Sequence, residues 1–95
     1  MSDTIYIKSK SEIEIMRQAG RITAGARSIA RQAVAAGVTT RQIDKYVHEF
    51  IVKSGAKATF LGYAGFPASA CVSVNDEVIH GIPGKRVIRD GDIVS

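Results

Sequence analysis

Apolar and small residues recur every three or four positions along the first third of the chain: Ile13, Met16, Ala19, Gly20, Thr23, Ala26, Ile29, Ala30 and Ala33. That period predicts an amphipathic helix beginning near Glu12. Ser9 lies three residues before Glu12 and Ser11 three before Glu14, so either pair can form a capping box in which serine and glutamate each satisfy the other's free backbone N–H. Gly20 and Gly25 each cost roughly 1 kcal/mol against alanine inside a helix, which points to a neighbour that needs the space. Gly37 is expected to end the helix as a left-handed cap.

A second helix is predicted from Val38-Thr39-Thr40, with Thr39 and Gln42 at capping-box spacing and Ile43, Tyr46, Val47, Phe50 and Ile51 forming one apolar stripe that Gly55 closes. The short connection between the two favours an antiparallel pair. Ahead of them, Ile5-Tyr6-Ile7 reads as a short β-prone segment. Beyond Gly55 the texture changes. Phe60 to Pro67 is an aromatic and glycine-rich loop, Ala70 to Val74 is β-prone, Asn75-Asp76 marks a turn, and Glu77 to His80 reads as the return strand of a hairpin ended by Gly81-Ile82-Pro83-Gly84. Asp90-Gly91-Asp92 then leads into a strand beginning at Ile93-Val94-Ser95. Helices followed by strands predict an α+β fold, two helices packed on an antiparallel sheet. The chain stops where that last strand starts, which reads as an incomplete domain.

Composition narrows the class without naming a function. The 95 residues suit one domain, and 45% hydrophobic with 23% charged residues is ordinary for a globular chain. Nothing approaches the roughly 20 apolar residues of a membrane helix. Met1 to Tyr6 lacks the basic-then-apolar pattern of a secretion signal. The lone Cys71 cannot form an internal disulfide, so a cytoplasmic setting is expected. The net charge of +4, from 13 basic against 9 acidic side chains, could serve a polyanion. Arg17 with Arg21 and Arg27 with Arg31 share helix faces, but no aromatic residue is interleaved to stack on bases, and a solvated face accounts for them.

Candidate chemistry is sparse. His48 sits beside the apolar stripe of the second helix and reads as a structural histidine. His80 ends a predicted strand next to a rigid turn, a place suited to facing a cleft; pattern alone leaves it balanced between a structural and a catalytic role. No helix carries two histidines at i and i+4 and there is no cysteine pair, so no metal site is expected. Asp76, Glu77, Asp90 and Asp92 read as turn residues, and Cys71 lacks motif partners for a nucleophile.

The stretch Gly62-Tyr63-Ala64-Gly65-Phe66-Pro67, with Ser69, Cys71, Val72-Ser73-Val74-Asn75 and His80-Gly81-Ile82-Pro83, resembles the N-terminal half of type I methionine aminopeptidases. Ile7-Lys8, Glu12-Ile13, Met16-Arg17-Gln18-Ala19-Gly20 and Gly91-Asp92-Ile93-Val94 agree with the same family. The resemblance implies a partial pita-bread (creatinase/aminopeptidase) fold, with residues 1–95 as the N-terminal half of the catalytic domain. It implies removal of initiator methionine from nascent polypeptide N-termini, with the ribosome as a further partner and two divalent metal ions (Co, Mn, Fe or Zn) whose ligands fall beyond Ser95. It assigns His80 to the substrate peptide group as the catalytic residue. Tyr63, Phe66 and Cys71, with Phe60 beside them, would line the methionine pocket, where aromatic rings and sulfur suit a thioether. Ala64 departs from a histidine found there in some members. The isolated chain is then expected to be inactive.

Two other classes compete with this reading. A non-catalytic pita-bread module could use the basic helix face to bind the ribosome or a protein, although such a module has no use for a transition-state histidine. A small basic nucleic-acid binder could use Thr39 to Lys53 as a recognition helix, but the apolar loop from Phe60 to Phe66 would then be unexplained.

Overall fold

The computed structural model describes residues 4–95. Two helices dominate it: α1, Lys10–Ala33, and α2, Thr40–Lys53. The capping box at α1 uses the first of the two predicted pairs, with Glu12 N–H donating to Ser9 Oγ (3.2 Å) and Ser9 N–H to Glu12 Oε1 (2.8 Å). That at α2 is built the same way from Thr39 and Gln42. Gly55, at a φ of 80°, closes α2 as a Schellman turn: its N–H donates to Val52 O and that of Ala56 to Ile51 O. The end of α1 differs from expectation. The helix stops at Ala33, and Gly37, although left-handed, lies beyond it and donates to Ile88 O.

Gly25 of α1 meets Phe50 of α2, whereas Ala30 and Ala33 reach the core around Ile43 near the start of α2. Contacts that move down one helix as they move up the other make the pair antiparallel. Gly20 has open space around it, so only Gly25 answers to a close neighbour. The core is small: Ile43, Val72, Val74 and Ile88 are buried together, with Ala30, Ala33, Val38 and Val94 packed against them.

The predicted sheet is not present. Among the described residues there are no strands, only two isolated antiparallel bridges, Thr39 with Val87 and Val74 with Val94. The first lays residues 84–88 against the start of α2, where Thr40 N–H donates to Arg86 O and Ile88 N–H to Val38 O. The second is carried by Asn75 N–H to Ile93 O and by reciprocal bonds between Ser73 and Ser95, all 2.8 Å. It stays an isolated bridge and forms no ladder among the described residues. The hairpin also fails in its predicted form. Glu77 to His80 is no return strand: Val78 and Ile79 point outward, Asn75 and His80 both take positive φ, and the chain comes back to Val72 only at Gly81. Ile5-Tyr6-Ile7 is exposed and irregular rather than extended into a strand. The secretion-signal reading over Met1 to Tyr6 lies partly outside the described residues.

Candidate active site

The loop after α2 folds on itself. Leu61 N–H donates to Ala58 O, Tyr63 N–H to Phe60 O, Phe66 N–H to Tyr63 O, and Gly62 N–H to Phe66 O. Gly62, Ala64 and Gly65 all take positive φ, with a single 3-10 turn at Tyr63–Gly65 between them. Closing so tight a loop brings Phe60 and Phe66 together, their ring centroids 4.6 Å apart and tilted by 35°, an arrangement that the aromatic quadrupole favours. His80 arrives from the other side, its ring centroid 6.3 Å from that of Phe60. Its imidazole is exposed and accepts or donates no hydrogen bond among the described residues. Tyr63 stands out from the loop, 70% exposed.

Three of the five expected site residues, Phe60, Phe66 and His80, therefore share one cluster. Cys71 makes no ring contact with them and faces a different space. It lines an apolar groove of about 900 Å³ between the helices and residues 69–72, together with Ile22, Ala26, Val47, Ile51 and Val94, a groove that none of the other four expected residues lines. Its thiol is free, and burial pushes its pKa up, away from the nucleophilic thiolate.

His80 owes its place to the backbone. At a φ of 55° it sits in the left-handed region, which costs an L-residue with a β-carbon roughly 1–2 kcal/mol. Strain of this kind persists only where the surroundings hold it. Both ends of the loop 75–80 are tied. At the first, Asn75 Nδ2 donates to Asp92 Oδ1 while Asn75 Oδ1 accepts from Ile93 N–H, both at 2.9 Å, and Glu77 Oε1 accepts from Val74 N–H. At the second, Gly81 N–H donates to the buried Ser73 Oγ.

Sequence reasoning missed a second anchor. Asp44 Oδ1 of α2 accepts from the N–H groups of both Ser69 and Ala70, at 2.9 and 2.8 Å, and one turn on His48 Nδ1 lies 2.8 Å from Ser69 Oγ. Asp44 and His48 at i and i+4 thus hold the chain where it leaves the aromatic loop. The structural reading of His48 agrees with this; Asp44 carried no motif, and its partners are far away in sequence.

A divalent metal does not fit these residues. Among the described residues no three of the His, Cys, Asp and Glu side chains converge as ligands. Asp92 is committed to Asn75 and to Arg89 N–H, and Glu77 to Val74 N–H and Arg86.

Comparison with known proteins decides the lineage. The profile of metallopeptidase family M24 matches residues 14–95. The chain belongs to metallopeptidase family M24. Within the family it is similar to methionine aminopeptidase 2 of Mycobacterium tuberculosis, 51% identical over 90 residues, covering 95% of this chain and 32% of that protein. The methionine aminopeptidase of Clostridium perfringens is 47% identical over 91 residues, covering 96% of this chain and 36% of its own length. The crystal structure of methionine aminopeptidase from Thermotoga maritima superposes with a TM-score of 0.92 at 42% identity, over 96% of this chain and 37% of that one. This M24 chain thus spans about a third of the length of the relatives it matches. No helix among its described residues is long and apolar enough to cross a membrane.

Proposed function

We propose that this chain forms the N-terminal, pocket-bearing part of a methionine aminopeptidase, which removes the initiator methionine from nascent polypeptides. The observation that carries this reading is the meeting of Phe60 and Phe66 of one loop with His80 of another, in a chain that matches methionine aminopeptidases over nearly its whole length. His80 is assigned to the peptide group of the substrate, donating to the oxygen that gains charge as the bond is attacked. Phe60, Tyr63, Phe66 and Cys71 are assigned to the wall around the methionine side chain. Residues 1–95 would be the N-terminal half of a pita-bread catalytic domain.

Divalent ions (cobalt, manganese, iron or zinc) supply the hydrolytic chemistry of this activity by activating water and polarising a carbonyl. Among the described residues no three side chains converge to hold them, so the contribution assigned to this chain is to bind and orient. The cytoplasm, where new chains carry their initiator methionine, and the ribosome surface are the setting this activity calls for.

The test is complementation. The 95-residue chain alone should release no methionine from a methionyl tripeptide. Joined to the C-terminal two thirds of the Clostridium perfringens relative and supplied with divalent metal, it should do so, and His80→Ala should cut turnover about a hundredfold or more while metal content stays unchanged. Full turnover with alanine at residue 80 would remove the role assigned to His80, and an inactive but folded and metal-loaded joined chain would count against the reading as a whole.

A further inference from the structure

We propose that Ser73 is the positioning residue for His80, holding the imidazole in its left-handed backbone conformation through the peptide that follows it. The inference rests on the assignment of His80 to the substrate peptide group. The ring of His80 makes no hydrogen bond among the described residues and only a tilted contact with Phe60, so the backbone at 80 and 81 is what brings it to that place. Gly81 is buried and pressed against residues 72 and 73: a β-carbon there would run into the Val72 carbonyl and stand 2.8 Å from Ser73 Cα. Val72 N–H donates to Gly81 O at 2.9 Å, and Gly81 N–H donates to Ser73 Oγ at 3.0 Å.

Ser73 is itself fixed. It is 5% exposed, and its backbone N–H and C=O are both paired with Ser95. Its hydroxyl therefore meets Gly81 from a frame that cannot follow the loop if the loop relaxes. Without that oxygen the Gly81 N–H would be buried and unpaired, and the peptide would gain by turning toward water. Such a turn rotates ψ of His80, and because a residue with a β-carbon is allowed only a narrow range of ψ at positive φ, it drives His80 back to negative φ. The other end of the loop, at Asn75, is five residues from His80 and does not set its backbone.

The experiment compares Ser73→Thr, which keeps the hydroxyl, with Ser73→Val, its isostere without one. NMR on the 95-residue chain reads amide exchange at Gly81 and the HN–Hα coupling of His80, with the amides of Ile43 and Ile88 as core references. Ser73→Val should lose about tenfold or more of the protection at Gly81 and shift the His80 coupling, while Ser73→Thr keeps both and the references hold in each. Equal behaviour of the two variants overturns the proposal. So does loss of protection at Ile43 and Ile88 together with Gly81, because the hydroxyl would then support the core at large and not His80. In the joined, metal-loaded protein, Ser73→Val should lower kcat about tenfold with KM within about twofold of wild type, as a misplaced catalytic group does, and Ser73→Thr should restore it. Lack of turnover by the wild-type joined protein would fall on the proposed function, and the NMR contrast would still decide whether Ser73 holds His80.

Discussion

Gly25 on α1 lies so close to Phe50 on α2 that a β-carbon at residue 25 would stand 2.9 Å from Phe50 Cε1, and closer still to Cζ. Gly20, five residues earlier on the same helix, has nothing within reach. Two glycines that look alike in the sequence thus do different work. Gly20→Ala should stabilise the chain by about 0.5–1 kcal/mol through helix propensity alone. Gly25→Ala gains the same propensity but displaces the Phe50 ring, at an overpacking cost of about 1–3 kcal/mol, and should be destabilising on balance. Urea midpoints of the two variants should move in opposite directions; a shared upward shift would show that the helices have room to separate.

Asp44 is the side chain on which two backbone donors converge. Asp44→Ala leaves the N–H groups of Ser69 and Ala70 without their partner and should cost about 1–3 kcal/mol. Asp44→Asn keeps one carbonyl oxygen in place and should cost less. Denaturant titration of both variants checks the order, and equal losses would mean that the charge matters and the shared oxygen does not.

His80 offers a trade between stability and function. Glycine adopts a φ of 55° without strain, so His80→Gly should raise stability by about 0.5–1 kcal/mol, the left-handed cost less the entropy of glycine. His80→Ala keeps the strain and should change stability little. Thermal melts of the chain would separate the two, and both variants should cut turnover in the joined protein about a hundredfold or more.

The Asn75 amide and the Arg89 N–H, with the charges of Arg86 and Arg89 nearby, hold the Asp92 carboxyl below its ordinary value. A carboxylate whose pKa is lower folded than unfolded contributes stability above the unfolded value, and that contribution fades as pH falls through the folded one. Wild type should therefore lose stability over Asp92→Asn as pH drops below the ordinary aspartate range, and the two should converge in strong acid. Urea midpoints measured from neutral pH downward check this. A constant gap at all pH values would mean that the Asp92 contacts do not depend on its charge.

What could be read beforehand was local. Both capping boxes and the glycine closing α2 depend on residues three or four apart, and the structure has them as expected. The pairings across the chain were not legible. The apolar Val78-Ile79 imitates a strand, but strand formation needs a partner, and the partner of Val72 is Gly81. Ser73 drew no notice inside a β-prone run, since a buried hydroxyl there gains meaning only from the glycine it faces. His80 stands out by its place beside a rigid turn as well as by resemblance, Phe60 and Phe66 by resemblance alone, and no periodicity places their rings together. Asp44 was missed for the same reason as Ser73: its partners lie on another segment.

The core joins residues well separated along the chain, Ile43 of α2 packing with Val72, Val74 and Ile88. During synthesis the helical hairpin can form as soon as α2 has emerged, because its contacts are short in sequence. Ile43 and Val47 must nevertheless wait, uncovered, until some forty further residues have been made. The order of translation thus imposes an interval in which a finished pair of helices carries an open apolar face, the condition under which growing chains are most prone to associate wrongly.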